Sequence, residues 1–341
     1  TRPIGTSPRM TPLLPPHRSS VPGEEEPAPR RRTAPTSGLG TGSGMVMVLG
    51  CYLLWGVFPL YFHLLSAAGA VEVIGHRIVW TLVTCALLMT ARRGWGELRT
   101  VVTTPALIGR LAVSGVLVSA NWLIYVYGVN TGRTADAALG YFINPLVTVA
   151  LAAVFLGERL RRAQGAAIVL AAAAVTVLVV VQGSLPWISL GLALTFGFYG
   201  LVKKHLGGRV DALTGLTTET LVVTPVALGY LGRLQAAGAG ALQGPSASPG
   251  LAVLLVVAGP VTAVPLLLFA AGTARVPLSV VGLSQYIAPT LQFLLAWAIF
   301  AEEISTARWI AMILVWAAVV VFIADVLHQL ALRPRLSGRG A

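Results

Sequence analysis

Ten stretches of apolar residues run through this chain, and each is long enough to cross a lipid bilayer as a helix. The hydrocarbon core of a bilayer is ~30 Å thick, so a spanning helix needs about 20 mostly apolar residues. The predicted spans cover residues 45–66, 71–90, 105–128, 134–156, 162–182, 186–206, 213–232, 250–272, 277–300 and 306–327. Because these runs are continuous rather than alternating in polarity, the pattern favours helices over the strands of a barrel.

The composition agrees with this pattern. Hydrophobic residues make up 56% of the chain and charged residues 11%, and the mean hydropathy is +0.80. The predicted fold class is therefore an all-α polytopic membrane protein with ten transmembrane helices. The formal net charge of +12 is better explained by loop charges that set orientation than by nucleic-acid binding, so no nucleic-acid partner is expected. The two cysteines lie inside apolar spans without metal-type spacing, and we expect buried thiols.

The basic residues between the spans predict the orientation of the chain. With the N-terminus in the cytoplasm, the external loops would hold only Arg133, Arg233 and Arg308. The cytoplasmic side would hold the larger set: Arg30, Arg31, Arg32, Arg92, Arg93, Arg99, Arg159, Arg161, Arg162, Lys203, Lys204, Arg209, Arg275, Arg333, Arg335 and Arg339. This asymmetry predicts a multi-pass protein of the cytoplasmic membrane with both termini in the cytoplasm, which requires an even number of spans.

The chain contains an internal repeat. A shift of 144 residues places Gly128 on Gly272, Pro145 on Pro289 and Glu158 on Glu302, and a shift of 141 places Gly56 on Gly197. We expect a disordered cytoplasmic tail (1–44), two five-helix repeats (45–182 and 186–327) and a cytoplasmic C-terminal tail (328–341). Because each repeat holds an odd number of spans, the second repeat would cross the membrane in the opposite sense, as in many secondary transporters.

Six motifs connect the chain to a known family: LLWGVFPLYF (53–62), GHRIVW (75–80), NWLIYVYGVNTGR (121–133), ALGYFINPLV (138–147), FLGERLRR (155–162) and FYGLVKK (198–204). Residues 45–327 resemble the RarD group of EamA-type proteins, within the drug/metabolite transporter superfamily. The resemblance implies two inverted five-helix repeats around a central cavity. It also implies export or exchange of a small organic metabolite or drug.

Polar side chains inside spans 2 and 3 are the first candidates for a substrate site, because such groups are costly in a membrane and usually face a cavity. His76 and Arg77 lie in span 2, and Arg77 would hold an anionic group of the substrate or pair with a carboxylate. Snorkelling of Arg77 to the outer interface is the alternative. In span 3, Asn121 and Tyr125 face roughly one way. Simple hydrogen bonding between helices would also explain Asn121.

Further candidates lie beside the repeated prolines and in span 6. Proline removes a backbone donor and displaces the carbonyl four residues earlier, so carbonyls near Pro145 and Pro289 could face a cavity. The alternative is that both prolines only kink the helices for packing. The substrate-binding candidates in these spans are Tyr141, Asn144, Tyr199, Gln285 and Tyr286.

Glu219 in span 7 is the candidate for ion coupling. A carboxyl at that depth could carry a proton, or it could be a structural group bonded to Thr217, Thr220 or Tyr199. Together these features predict a secondary transporter working by alternating access, with a small-molecule substrate, the bilayer, and a proton or counter-substrate as partners. We find no catalytic motif, metal site or cofactor site, so no enzyme is expected. An intramembrane enzyme acting on lipids and a non-transporting membrane regulator remain as alternatives.

Overall fold

The computed structural model describes residues 38–157, 159–206, 209–245, 247–273, 275–276, 281 and 284–337. Within these ranges the regular structure consists of twelve helices. They are α1 (Gly38–Gly56), α2 (Phe58–His63), α3 (Ala70–Arg92), α4 (Trp95–Val102), α5 (Pro105–Asn130), α6 (Thr134–Leu156), α7 (Arg162–Gln182), α8 (Trp187–Leu206), α9 (Ala212–Ala236), α10 (Pro249–Thr273), α11 (Ile287–Ala298) and α12 (Thr306–Ser337). The chain is an all-α polytopic membrane protein.

Eight helical segments in the described ranges are long and apolar enough to cross a bilayer. Two further predicted spans correspond to α8, which ends in Lys203, Lys204 and His205, and to the short apolar helix α11. The predicted boundaries of most spans agree with the helices to within a few residues. The predicted tail 1–44 lies largely outside the described residues, although α1 already begins at Gly38, and Glu158 lies outside them as well.

The short helix α4 is a feature that the hydropathy pattern did not predict. Its apolar residues Leu98 and Val101 are three positions apart and buried, while Glu97 and Arg99 are exposed. Glu97 lies in the first turn and Arg99 in the last, which is the arrangement that complements a helix dipole. Eight residues are too few to span a membrane, so α4 is an amphipathic connection between α3 and α5.

The helices pack in a pattern that places a cavity at their centre. Helix α5 packs against α8 and α9, α10 packs against α1 and α3, and α3 packs against α9. Helix α6 packs against α8 and α11, α1 packs against α11, and α7 packs against α12. These contacts close a ring of eight helices in the order α5, α8, α6, α11, α1, α10, α3 and α9, and residues of all eight line the interior.

Two crossings depend on glycine. A Cβ added to Gly115 would lie 2.6 Å from the carbonyl oxygen of Glu219, where α5 crosses α9. A Cβ added to Gly259 would clash with the carbonyl oxygen of Trp80, where α10 crosses α3. Small residues allow backbones in a membrane to approach this closely, and they fix the positions of the neighbouring side chains on both helices.

An aspartate caps α9. The Asp211 carboxylate accepts hydrogen bonds from the backbone N–H of Leu213 at 2.7 Å and from the Thr214 hydroxyl at 2.8 Å. Burial raises the pKa of Asp211, but hydrogen bonds from Thr214 and Leu213 outweigh that effect and hold the pKa below its ordinary value. Asp211 therefore remains ionised at neutral pH and stabilises the start of α9.

Replacing Asp211 with alanine is expected to lower the free energy of unfolding by about 1 kcal/mol, because two donors at the start of α9 lose their acceptor. Asp211→Asn keeps an acceptor and should cost less. Since the pKa is depressed in the folded state, the stabilisation is complete above the unfolded pKa and is lost as pH falls through the folded pKa. Thermal unfolding in detergent measures this, and a difference between alanine variant and wild type that widens on acidification would contradict it.

Candidate functional site

A cavity of about 620 Å³ lies among the central helices, within the size range of small-molecule sites. Its polar lining comes from α3, α5, α6, α8, α9, α10 and α11, and apolar and aromatic side chains form most of the remaining wall. Eight of the ten candidates from the sequence line this one cavity: Arg77, Asn121, Tyr125, Tyr141, Asn144, Tyr199, Glu219 and Gln285.

Arg77 is buried in the cavity wall, with 4% of its surface exposed. Its Nε donates to the Thr262 hydroxyl at 2.8 Å, which joins α3 to α10 just beyond the Gly259 crossing. Its guanidinium carbon lies 4.2 Å from the ring centre of Trp122 and 5.1 Å from that of Phe62, within the range of cation–π attraction. The alternative of snorkelling to the interface does not fit this buried position.

Asn121 organises the side of the cavity between α5, α6 and α8. Its Nδ2 donates to the Leu192 carbonyl and the Thr195 hydroxyl, each at 3.0 Å. Its Oδ1 accepts from the Tyr141 hydroxyl at 3.0 Å. Asn121 therefore makes the interhelical hydrogen bonds that the sequence left as an alternative, and it also lines the cavity.

Glu219 is 1% exposed and forms an ion pair with Lys203. Ser114 donates to the same carboxylate oxygen at 2.6 Å, because the Gly115 crossing brings α5 against α9. Of the partners that the sequence suggested, Tyr199 hydrogen-bonds the Glu219 carboxylate. The Thr217 and Thr220 hydroxyls instead donate to carbonyls of their own helix. Glu219 is thus a charged group held by neighbours from two other helices.

Three polar atoms of the lining have no hydrogen-bond partner in the described part of the chain. They are the Tyr125 hydroxyl, Asn144 Oδ1 and Gln292 Oε1. Tyr125 and Gln292 are each 3% exposed, so bulk water does not satisfy these atoms. Buried polar atoms without partners are rare in folded proteins. These three line the cavity, whereas others in the described ranges, such as the Tyr286 hydroxyl and Thr81 Oγ1, lie outside it. They are available to a bound molecule.

Two candidates lie elsewhere. His76 lines a separate cavity of about 300 Å³ together with Glu72, whose carboxylate accepts from the Ala241 N–H at 2.9 Å. Tyr286 is 8% exposed and stacks on Phe142 with ring centres 6.3 Å apart, outside the lining of the central cavity. Helical spacing explains the first result, since His76 and Arg77 point about 100° apart around α3.

Three polar contributors to the site do not stand out in the sequence. Lys203 counts only as a cytoplasmic charge at the end of the predicted span 186–206, although it lines the cavity and pairs with Glu219. Thr262 and Gln292 were not singled out, although Thr262 binds Arg77 and Gln292 donates to the Trp55 carbonyl at 2.9 Å. The available signal was their position as isolated polar residues in the apolar helices α10 and α11.

The end of the bundle near the start of α6 is held by ionic contacts. Asp136 is 4% exposed and accepts from Arg133 at 2.9 Å and from Arg308 at 3.2 Å. The Glu302 carboxylate accepts from the backbone N–H groups of Thr134 and Ala135 at 2.7 and 2.9 Å, so it caps α6 from a different part of the chain. Asp136 also anchors the start of α8, since its carbonyl accepts from the Ser189 hydroxyl.

At the other end the cavity extends toward the C-terminal end of α8 and the start of α9. Leu206, Val210, Asp211 and Ala212 line this part of the cavity, and Asp211 is exposed. The central cavity therefore reaches from Leu206 at the end of α8 to Val210 and Asp211 just before α9. Ion pairs and a cap hold the helices together at the opposite end.

Comparison with known proteins places this arrangement in a family. Residues 42–180 match the EamA-like transporter family. Protein RarD of Escherichia coli (strain K12) is 42% identical over 289 residues, covering 84% of this chain and 96% of that protein. A Vibrio cholerae protein described as an uncharacterized transporter is 42% identical, and the match covers 83% of this chain and 92% of that protein. The Pseudomonas aeruginosa chloramphenicol-sensitive protein RarD is 30% identical, and the match covers 82% of this chain and 93% of that protein.

A solved crystal structure has the same fold, with a TM-score of 0.53 at 20% sequence identity. The match covers 82% of this chain and 96% of that chain. The helical architecture, the central cavity and the relatives agree with the motifs in spans 1 to 6. The chain is a membrane transporter that belongs to the RarD group of EamA-type proteins.

Proposed function

We propose that the protein is a secondary transporter of the cytoplasmic membrane that exports or exchanges a small organic metabolite or drug by alternating access. The observation that carries this proposal is the cavity of about 620 Å³, whose lining includes a buried arginine and several unpartnered polar atoms. A membrane protein tolerates such groups where they border a path for polar molecules. The name of the Pseudomonas aeruginosa relative adds chloramphenicol to the compounds worth testing.

An inverted repeat of residues 45–182 and 186–327 is part of the proposal. The packing pattern supports it, because exchanging α1, α3, α5, α6 and α7 with α8, α9, α10, α11 and α12 maps the nine most extensive packed pairs onto one another. For example, α5 against α8 becomes α10 against α1, and both pairs are present. Five spans in each half, ten in all, would place the two copies in opposite orientations.

The close contacts at glycines support the same repeat. Gly115 of α5 and Gly259 of α10 are 144 residues apart, the shift that the sequence gives for this part of the chain. Two further contacts correspond in the same way: Gly56 meets Leu291, and Gly197 meets Val147. The two glycines are 141 residues apart in sequence, and their partners Val147 and Leu291 are 144 residues apart. The two halves therefore share contacts as well as residue types.

The two ends of the cavity suggest which state of the cycle this structure represents. With both termini in the cytoplasm, the open part near Asp211 would face the cytoplasm. The Asp136–Arg308 ion pair and the Glu302 cap would then close the external side. An inward-facing carrier has this arrangement, and opening to the outside would require these contacts to separate while the end near Asp211 closes.

Glu219 is the proposed ion-coupling residue. It lines the cavity, it is almost fully buried, and its partner Lys203 is partly exposed. Movement of α8 relative to α9 during the cycle would change the distance between ammonium and carboxylate. Such a change alters the affinity of the carboxylate for a proton, which couples substrate movement to a proton gradient.

A substitution that fills the cavity tests transport itself. Gly200 lines the cavity, and a Cβ added there meets no atom within 4 Å, so Gly200→Phe is expected to obstruct the path and to reduce flux about tenfold or more while the protein still folds. Gly229 also has open space and is exposed on α9, so Gly229→Phe is the matched control and should keep wild-type flux.

The measurement uses purified protein in liposomes loaded with organic acids, amino acids, amines and chloramphenicol, and mass spectrometry follows their release and exchange. Gradient-dependent release by wild type and Gly229→Phe, with loss in Gly200→Phe, supports the proposal. Absence of release for every compound, or equal release by Gly200→Phe, would overturn it. Chemical turnover of a lipid without release would favour the intramembrane enzyme.

A further inference from the structure

We propose that the central cavity selects an organic monoanion, whose carboxylate binds Arg77 and whose apolar body lies against the aromatic wall. This inference rests on the proposed transport function and names the chemical class of its substrate. It is carried by three features of the cavity: its charge balance, the free edge of the Arg77 guanidinium, and the side chains around that edge.

The charge balance leaves one positive charge without a partner. Among the described lining residues, those with a formally charged side chain are Arg77, Lys203, Asp211 and Glu219. Lys203 and Glu219 neutralise each other in an ion pair. The Asp211 carboxylate lies at the far end, where it caps α9. Arg77 has no ion pair with a carboxylate in the part of the chain that the structure describes, so the interior carries a single uncompensated cation.

The guanidinium of Arg77 is only partly used by the protein. Arginine has five N–H donors, and the Nε donor binds Thr262. The terminal nitrogens have no hydrogen-bond acceptor among the described residues. Trp122 and Phe62 approach the cation at 4.2 and 5.1 Å from their ring centres. Cation–π attraction to these rings partly offsets the desolvation of the guanidinium. The rings cannot, however, accept the two parallel hydrogen bonds that a carboxylate accepts from a guanidinium.

The surroundings of Arg77 supply both a further donor and an apolar surface. The Tyr125 hydroxyl is buried and has no hydrogen-bond partner among the described residues. Its ring lies 5.9 Å from that of Phe62, which also contacts Arg77. A carboxylate bound to Arg77 therefore has a tyrosine donor on the same side of the cavity. Trp55 and Phe269 form a further aromatic part of the wall, with ring centres 5.8 Å apart. A substrate with an aromatic or branched apolar body fits this lining.

A purely structural role for Arg77 explains less. The bond to Thr262 ties α3 to α10, but a neutral side chain could provide that tie without burying a charge. A buried cation without a counter-ion destabilises the protein. A substrate that supplies the counter-ion removes this penalty, so the cavity binds anions in preference to neutral or cationic compounds. A single free cation also matches one carboxylate better than a dianion, since a second negative charge would be buried without a partner.

Binding of matched compounds tests this class directly. Purified full-length protein in detergent is titrated with 3-phenylpropanoate, its amide 3-phenylpropanamide and the amine 3-phenylpropylamine, which share one apolar body. Trp122 lies beside Arg77, so tryptophan fluorescence reports occupancy, and thermal shift gives a second readout. We expect the acid to bind about tenfold or more tightly than the amide, because a charge-assisted pair is stronger than a neutral hydrogen bond.

Variants of Arg77 identify the cause of the preference. Arg77→Ala is expected to remove the preference for the acid, and Arg77→Lys to retain part of it, because lysine keeps the charge but loses the bidentate geometry. Arg92→Ala, at the exposed end of the same helix, is the matched control and should bind as wild type does. If Arg77→Ala does not fold, the Arg77→Lys and wild-type titrations still decide between acid, amide and amine.

The outcomes separate this inference from transport. Equal or tighter binding of the amide or amine, no binding of the acid, or an acid preference that survives Arg77→Ala would overturn the monoanion class. Those results would leave the proposed transport function intact if the liposomes still release other compounds. Conversely, Arg77-dependent binding of the acid together with no release of any compound would retain the monoanion site and overturn the transport function.

Discussion

Replacing Lys203 with methionine is expected to destabilise the folded protein by about 1–3 kcal/mol, because the partly exposed ammonium group is the counter-ion of the buried Glu219 carboxylate. Methionine matches the length of the lysine stem and removes only the charge. Glu219 would then keep its hydrogen bond from Ser114, but its charge would be 1% exposed and unpaired. The large effect comes from the carboxylate that remains, rather than from the lost attraction.

A double-mutant cycle measures that cost. Lys203→Met with Glu219→Gln removes both charges, and the double variant is expected to recover most of the stability that Lys203→Met loses. Lys204→Met is the neighbouring control, since Lys204 is exposed and does not line the cavity. Thermal unfolding in detergent gives the four stabilities. Additive losses in the double variant would show that the two side chains act independently and would contradict the ion pair.

The same variants bear on coupling. If Glu219 carries the proton, Glu219→Gln in liposomes should lose the response of flux to a pH gradient while it keeps substrate binding. Flux that still follows the pH gradient would remove Glu219 from the coupling mechanism.

Gly259→Ala is expected to destabilise the protein by about 1–3 kcal/mol, as overpacking of a close contact does. The new methyl group would meet the backbone carbonyl of Trp80, which cannot rotate away as a flexible side chain could. Gly115→Ala should have the same sign, because its Cβ would lie 2.6 Å from the carbonyl oxygen of Glu219. Both variants push apart helices whose crossing positions a cavity residue.

The control for these variants lies on the same helix as Gly115. A Cβ at Gly109 meets nothing within 4 Å, so Gly109→Ala should be neutral or slightly stabilising, since alanine favours helix over glycine. Tm in detergent and the yield of folded protein are the measurements. A Tm for Gly259→Ala equal to that of Gly109→Ala would show that the two backbones do not meet as described.

Much of the architecture follows from hydropathy alone. Backbone polar groups must be satisfied within a membrane, so a long apolar run has few alternatives to a helix, and most predicted span boundaries lie close to the helix ends. The hydropathy pattern did not predict α4, because an eight-residue amphipathic segment has only two buried positions, Leu98 and Val101. The tail prediction lies mostly outside the described residues.

The candidate site was predictable where a side chain is unusual in itself. Arg77 and Glu219 stand out because ionisable groups are rare inside spans, and both line the cavity. Lys203 did not stand out, because a lysine near the end of a span resembles an ordinary loop charge. Its long apolar stem allows the ammonium group to reach back to Glu219, and that depends on how α8 packs against its neighbours.

His76 was a candidate for the central site, but it lies outside the central cavity. It is adjacent to Arg77 in sequence, yet the two residues face different cavities. The spacing of Glu72 and His76 by four residues already placed them on one face of α3, away from Arg77. Which face meets the centre of the bundle depends on contacts with α9 and α10, and no pattern within α3 alone contains that information.

The two glycine crossings are alike in backbone but different in chemistry. Beside Gly259, Arg77 donates to Thr262, but the position that corresponds to Thr262 in the first half holds Val118. Beside Gly115, Ser114 donates to Glu219, but the position that corresponds to Ser114 in the second half holds Ala258. If the two halves are the inverted repeat that we propose, the scaffold is duplicated while its charged groups are not. A carrier that works by the proposed alternating access would then have unequal ground-state energies on the two sides of its cycle. At rest, without any gradient, one orientation would be the more populated.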